Sequence, residues 1–172
     1  MKSREVKYGT LCYLCVDGKV LMIQKDIREG DPNSGYCTPP GGKLKISERG
    51  TLMGRLEGML RELEEETGFT MIGAKFIGEI FFDNSERTFD NWDFPKDYHV
   101  YVFRAEGYSG KLKERCKEGV PLWVDKETIP SLPQNPGDSK MYEWINSGRR
   151  FKGTIKHKGK ILDESGTRVE YY

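Results

Sequence analysis

The sequence predicts an α+β fold in which one mixed β-sheet carries a helix on each face. Two observations carry this expectation. Strand-like runs stand before, between and after two helical segments, so a single sheet must be covered from both sides. The longer helical segment, at about Thr51–Thr67, sets Leu52, Leu56, Met59, Leu60 and Leu63 on one stripe and leaves its other faces charged.

Along the chain, Tyr8–Val16 and Lys19–Gln24 are β-rich and are separated by Asp17-Gly18, a strong hairpin signal. Arg28–Pro40 holds Gly30, Pro32, Gly35, Pro39 and Pro40 and reads as a long loop closed by Gly41-Gly42. Gly68 is a natural stop for the first helix. Met71–Phe82 and Tyr98–Ala105 read as strands flanking an acidic, aromatic loop, Asp83–Asp97. Pro121–Val124 is a short strand and Glu127-Thr128-Ile129 a single turn. Asp138–Asn146 reads as the second helix, with Asp138 or Ser139 as its N-cap and Gly148 beyond its end. Phe151–His157 and Val169–Tyr172 are expected to close the sheet as a strand pair. With no repeat, linker or low-complexity segment, residues 1–172 are expected to form one domain.

Composition narrows the function. A formal net charge of +1 gives no basic surface for polymeric nucleic acid. No apolar run approaches the roughly 20 residues that span a bilayer. Met1–Lys7 lacks the apolar core of a signal peptide, so a cytoplasmic location is the default expectation. Cys12 and Cys15 have C-x-x-C spacing, yet in a strand they face opposite ways, and the other Cys and His residues are scattered singly; buried thiols are expected.

Chemistry concentrates in Arg61-Glu62-Leu63-Glu64-Glu65-Glu66-Thr67-Gly68-Phe69. Glu62, Glu65 and Glu66 lie three and four residues apart, converge on one helix face, and repel one another unless a cation sits among them. Carboxylates so arranged suit Mg²⁺, which takes one or two carboxylates together with phosphate oxygens and water. Arg61, four residues before Glu65, is spaced to orient that carboxylate. Gly41-Gly42 lets backbone approach the metal or the phosphates without a Cβ in the way.

With Gly42 and Glu48 upstream, this segment resembles the signature of the Nudix hydrolases, G-x5-E-x7-R-E-U-x-E-E-x-G-U, where U is a bulky aliphatic or aromatic residue. It departs once: twelve residues, Arg49–Leu60, separate Glu48 from Arg61 where the signature has seven, which leaves the role of Glu48 open. The resemblance implies an α/β/α sandwich and Mg²⁺- or Mn²⁺-dependent hydrolysis of a nucleoside diphosphate linked to another moiety. It implies Glu62, Glu65 and Glu66 as metal ligands with the backbone of Gly42, Arg61 as the orienting residue, and Glu62 or Glu65 as the group that activates water. A further acid from a distant loop is implied too, with Asp93 and Asp97 as candidates beside Glu86 and Asp90.

The tail, from Pro121-Leu122-Trp123-Val124 through Pro136-Gly137-Asp138-Ser139 to Arg149–Gly153, resembles that of animal-type 8-oxo-dGTP diphosphatases of the MutT class. This implies cleavage of an oxidised purine nucleoside triphosphate to monophosphate and pyrophosphate, with Asp138 at the base. Gly137 stands where that class has a second acid, Asn135 where it has an aromatic, and Thr38 where it has an asparagine that holds the base. Trp92 and Tyr36 are candidates for stacking on the base, Asp138 equally for a helix cap. The alternative substrates are ADP-ribose, a dinucleoside polyphosphate or a nucleotide sugar. Either way the expected partner is a small nucleotide, bound by a monomer or homodimer.

Overall fold

The computed structural model describes residues 4–89, 92–93 and 96–172, with Trp92 and Asp93 described in their backbone alone. Its strands are β1 (Glu5–Val16), β2 (Lys19–Lys25), β3 (Cys37–Thr38), β4 (Phe69–Ile72), β5 (Lys75–Phe89), β6 (Trp92–Asp93), β7 (Lys96–Ala105), β8 (Gly107–Gly110), β9 (Gly119–Asp125), β10 (Phe151–Gly159), β11 (Ile161–Leu162) and β12 (Arg168–Tyr171). The helices are α1 (Leu52–Thr67) and α2 (Asp138–Asn146). The main sheet runs β11-β10-β5-β7-β1-β2-β3 and is mixed: β1 lies parallel to β7 and β10 to β5, while β5 and β7 are antiparallel.

Alternation along the strands divides the core between the two helices. On β1, Cys12 and Leu14 join Met59 and Leu63 of α1, while Tyr13 joins Met141, Trp144 and Ile145 of α2 on the other side. On β7, Tyr101 and Phe103 face α1 and Val102 faces α2. Cys12 and Cys15 therefore lie on opposite faces, as free thiols. Asp17 and Gly18 both have positive φ (50° and 74°), the geometry of a two-residue hairpin turn. Gly68 ends α1 in the left-handed region at φ 79°.

The strand expected over Met71–Phe82 is broken. Gly73, at φ 67°, turns the chain, so β4 pairs with β8 in a separate two-stranded sheet. The loop expected over Asp83–Asp97 is largely strand: β5 runs on to Phe89 and turns back to β6. Its turn-like Asp83-Asn84-Ser85 segment is absorbed as a bulge. Lys156 pairs with Asp83 but Lys158 with Glu86, and Asp83 Oδ1 accepts the Ser85 N–H (2.9 Å). The closing pair forms as expected, β12 antiparallel to β10.

One feature positions the site. β1 and β2 pair only next to their hairpin, at Cys15↔Val20 and Val16↔Lys19, and then splay. The chain from Tyr36 to Leu44 fills the gap. It bonds to β2 through Lys25 N–H to the Tyr36 carbonyl, and to β1 through the Cys12, Thr10 and Leu44 amides with Pro40, Gly42 and Tyr8 carbonyls, at 2.8–2.9 Å. At Gly41 a Cβ would stand 2.0 Å from the Thr10 carbonyl oxygen, so no larger residue fits the wedge.

Gly41→Ala is expected to cost about 1–3 kcal/mol, because main chain must move. Gly50→Ala, with nothing within 4 Å of the added Cβ, is expected to stay within about 0.5 kcal/mol of the wild type. Urea denaturation of the two variants checks the contrast.

Candidate active site

The threaded Gly41-Gly42 segment lies directly against the acidic face of α1. A Cβ on Gly42 would fall 2.1 Å from Glu62 Oε2, and the Gly41 N–H donates to Glu66 Oε2 at 2.9 Å. The glycine pair thus makes room for two carboxylates. Arg61 holds the outer side of the cluster, with Nη1 donating to Glu62 Oε1 (2.6 Å) and standing 3.8 Å from Glu65 Oε1. Glu65 is the exposed member of the three.

Glu48 is returned to this cluster despite the lengthened segment. Arg61 Nε and Nη2 donate to its two carboxylate oxygens, each at 3.0 Å. Two helical glycines make the approach possible. A Cβ on Gly54 would meet the Glu48 carbonyl oxygen at 2.8 Å, and one on Gly58 would meet Leu44 Cδ2 at 2.4 Å and Glu48 Oε2 at 2.8 Å. The added residues extend α1 back to Leu52 and fold across its glycine face, closing the gap that the spacing opens. The Arg61 guanidinium, then the Lys45 N–H, hold the Glu48 carboxyl below its ordinary value, and Glu48 and Glu62 push the arginine up.

The inner carboxylate behaves differently. Glu66 is 6% exposed, and burial, joined by the nearby Glu62 charge, pushes its carboxyl up to about 7 against the pull of the Gly41 N–H and Lys25. Among the described residues no three His, Cys, Asp or Glu side chains stand close enough to bind a metal as they are placed. The donors nevertheless fit a hard divalent cation: they are carboxylate oxygens, one buried and under repulsion from its neighbour, which a cation would relieve. Glu62, Glu65 and Glu66 are the residues that would hold it.

From Gly41, Gly42 and Glu66 a cavity of about 280 Å³ extends between the splayed strands. Its far end is lined by Asn84 and Arg87 of β5, Asn135 and Asp138 at the start of α2, and His157 of β10. Asn135 is the hub of that end. Its Oδ1 accepts Arg87 Nη2 (2.8 Å), its Nδ2 donates to Asn33 Oδ1 (2.6 Å), and its N–H donates to Asp138 Oδ2 (3.1 Å). Asp138 is thus the first residue of α2, not its cap; Gly137 takes the cap position and the carboxylate closes the turn before it. Burial pushes the Asp138 carboxyl up to about 6 against the Asn135 N–H and Arg87.

The remaining candidates separate. Thr38, on β3, lines the cavity. Tyr36 precedes it and does not line the cavity; its backbone holds the wedge. Asp97 lies outside the cavity lining, where its carboxylate accepts Arg4 Nε and the Asn84 N–H (2.9 Å). Trp92 and Asp93 sit on β6, their side chains outside the described residues, as is Asp90 altogether. Glu86 pairs with Lys156 (2.8 Å). Sequence reasoning missed Asn84, Arg87 and His157. Asn135 entered only as a missing aromatic, and a second acid at Gly137 would strike Ile155 Cγ2, 2.4 Å from the Cβ position.

Because Glu66 titrates higher in the fold than its ordinary 4.5, the native state holds the proton longer than the unfolded chain. That contribution is full below about 4.5 and lost as pH rises through about 7. In chelator-treated protein, Glu66→Gln is expected to raise stability at pH 8 by up to about 3 kcal/mol, the gain shrinking toward pH 4. Thermal melts across that range check it.

Comparison with known proteins fits this geometry. The NUDIX domain model matches residues 7–145. The uncharacterized Nudix hydrolase YvcI of Bacillus subtilis (strain 168) is 29% identical over 81% of this chain and 79% of its own. The MutT protein of Bacillus halodurans superposes with a TM-score of 0.74 at 25% identity, covering 95% of this chain and 97% of that one. The Nudix domain of Shewanella oneidensis NrtR, solved with ADP ribose, gives 0.60 at 16% identity over 84% and 88%. These relatives are bacterial, and none supports the animal-type likeness read from the tail. No helix among the described residues is long and apolar enough to cross a membrane. A domain match over most of its length, around a Gly42-Glu48-Arg61 core and a glutamate-bearing helix, makes this chain a member of the Nudix family, hydrolases of pyrophosphate bonds.

Proposed function

We propose that this chain hydrolyses purine nucleoside triphosphates, oxidised ones such as 8-oxo-dGTP first among them, to the monophosphate and pyrophosphate. The observation that carries the reading is a cavity with two unlike ends. One end holds the Glu66 carboxylate, with Glu62 against Gly42 beside it, for metal and phosphates; the other offers a buried polar surface suited to a base. A bound Mg²⁺ or Mn²⁺ supplies charge neutralisation at the phosphates and an activated water.

The chain's own residues divide the remaining work. Glu62, Glu65 and Glu66 would hold the cation, with the Gly42 backbone as a further proposed contact. Arg61, fixed by Glu48, keeps Glu62 and Glu65 oriented. Glu65 or Glu62 would take the proton from water, and the exposure of the Glu65 carboxylate supports the first. Thr38 and Asp138 line the nucleotide's path, and of the two aromatic candidates Trp92 is kept for stacking on the base, since Tyr36 does not line the cavity. Among the acids proposed beside the helix glutamates, Glu48 acts through Arg61, and Asp97 supports Asn84. Asp93 keeps its place as a further acid on β6.

Product analysis with 8-oxo-dGTP, 2-hydroxy-dATP, dGTP and ADP-ribose under Mg²⁺ tests the assignment. The expected outcome is release of monophosphate and pyrophosphate, with the highest kcat/KM for an oxidised purine. ADP-ribose leading the series would move the chain to the nucleoside diphosphate derivatives. Glu65→Gln is expected to lower kcat by roughly a hundredfold or more, with the fold retained on circular dichroism.

A further inference from the structure

His157 is 1% exposed and lies in β10 at the inner end of the cavity, beyond residues 7–145 that the family model matches. Its Nδ1 stands 3.1 Å from Asn84 Oδ1. The orientation of Asn84 follows from its other bond: Nδ2 donates to the Lys96 carbonyl, which can only accept, so Oδ1 faces the imidazole. An oxygen there requires the proton on Nδ1. Nε2 is then a bare acceptor, and it has no partner among the described residues. Burial, then the nearby Arg87 charge, push the ring down to about 4, so it is neutral near pH 7.

A buried acceptor without a partner costs about 1–3 kcal/mol, so something must satisfy it. His157 nonetheless lines the cavity, and the Cβ position of Gly137, 3.4 Å from Nε2, is already crowded by Ile155 Cγ2 at 2.4 Å, so no side chain at 137 can reach the imidazole. The next residue, Asp138, has Oδ2 engaged by Asn135 and shows no hydrogen bond to Oδ1 among the described residues. His157 Nε2 and, when ionised, Asp138 Oδ1 are thus acceptors at this end. Chained contacts hold them still: Arg4 to Asp97, Asp97 to the Asn84 N–H, and Asn84 to His157.

We infer that His157 is a specificity-determining residue whose Nε2 accepts an N–H from the bound nucleobase, so that the cavity selects bases carrying an amino or imino donor on the edge that enters it. This rests on the nucleotide reading above and names what that site recognises.

The test uses the whole protein labelled with ¹⁵N-histidine and titrated with GMP, AMP and purine riboside 5′-monophosphate, whose base has no N–H. The expected result is an Nδ1–H tautomer in the free protein. The Nε2 resonance should move on saturation with GMP or AMP and stay in place with the purine riboside. His157→Phe is expected to weaken the better of GMP and AMP by roughly tenfold or more, and to leave the purine riboside monophosphate unaffected. An Nε2 resonance unmoved at saturation by all three, as a sealing water would give, overturns the inference while triphosphate turnover keeps the functional assignment. Failure of every nucleotide to bind or turn over overturns both.

Discussion

The structure depends on a strand of minimal width. β1 and β2 must separate to admit Tyr36–Leu44, and the inserted segment must pass beneath the carboxylates of α1. Side chains at positions 41 and 42 would occupy the space of the Thr10 carbonyl and the Glu62 carboxylate. Hydrogen bonding to both neighbours holds the segment flat, and the Gly41 N–H then binds Glu66. Sheet, wedge and helix are thus registered against one another by contacts of backbone with backbone and of backbone with carboxylate.

The two ends of the cavity are built on opposite electrostatic plans. At the carboxylate end, charges are collected beyond what the protein alone neutralises: Arg61 serves Glu48 and Glu62, and the buried Glu66 is left with an amide and a distant lysine. At the inner end a half-buried guanidinium, Arg87, stands among groups held toward neutrality. His157 is neutral, and Asp138 lies in surroundings that resist its ionisation. A triphosphate that carries its charge at one end and a neutral base at the other matches both plans.

Much of this was legible in the sequence. Period-two and helical patterns located both helices and most strands of the main sheet, because those patterns record burial directly, but not the break at Gly73 or the run of β5 to Phe89. Asp138–Asn146 agrees to the residue. The carboxylate helix was legible because its chemistry is local: residues three and four apart meet whatever the rest of the chain does. Glu48 was harder, since its return to Arg61 depends on Gly54 and Gly58 removing two side chains from a helix face. Of the inner end only Asp138 was legible, with Asn135 entering merely as a missing aromatic. Asn84, Arg87, Asn135 and His157 come from three distant segments, and each is an ordinary surface residue until folding assembles them.

The bulge in β5 explains why Arg87 in particular escaped notice. Ile80 and Phe82 pack toward α2, and Asn84 follows them on that face; unbroken alternation would then turn residue 87 away. The extra residue between Asp83 and Glu86 shifts the parity, so an even-numbered series is continued by an odd one, with Arg87 opposite Gly159. Such a site is a lever for divergence. One more residue inserted there, with the bulge kept, would bring Glu86 opposite Gly159 and replace a cation at the cavity wall by an anion. The carboxylate end, on other strands and another helix, would be untouched. Chemistry and selectivity in this chain can therefore drift separately, through changes of length as well as of residue.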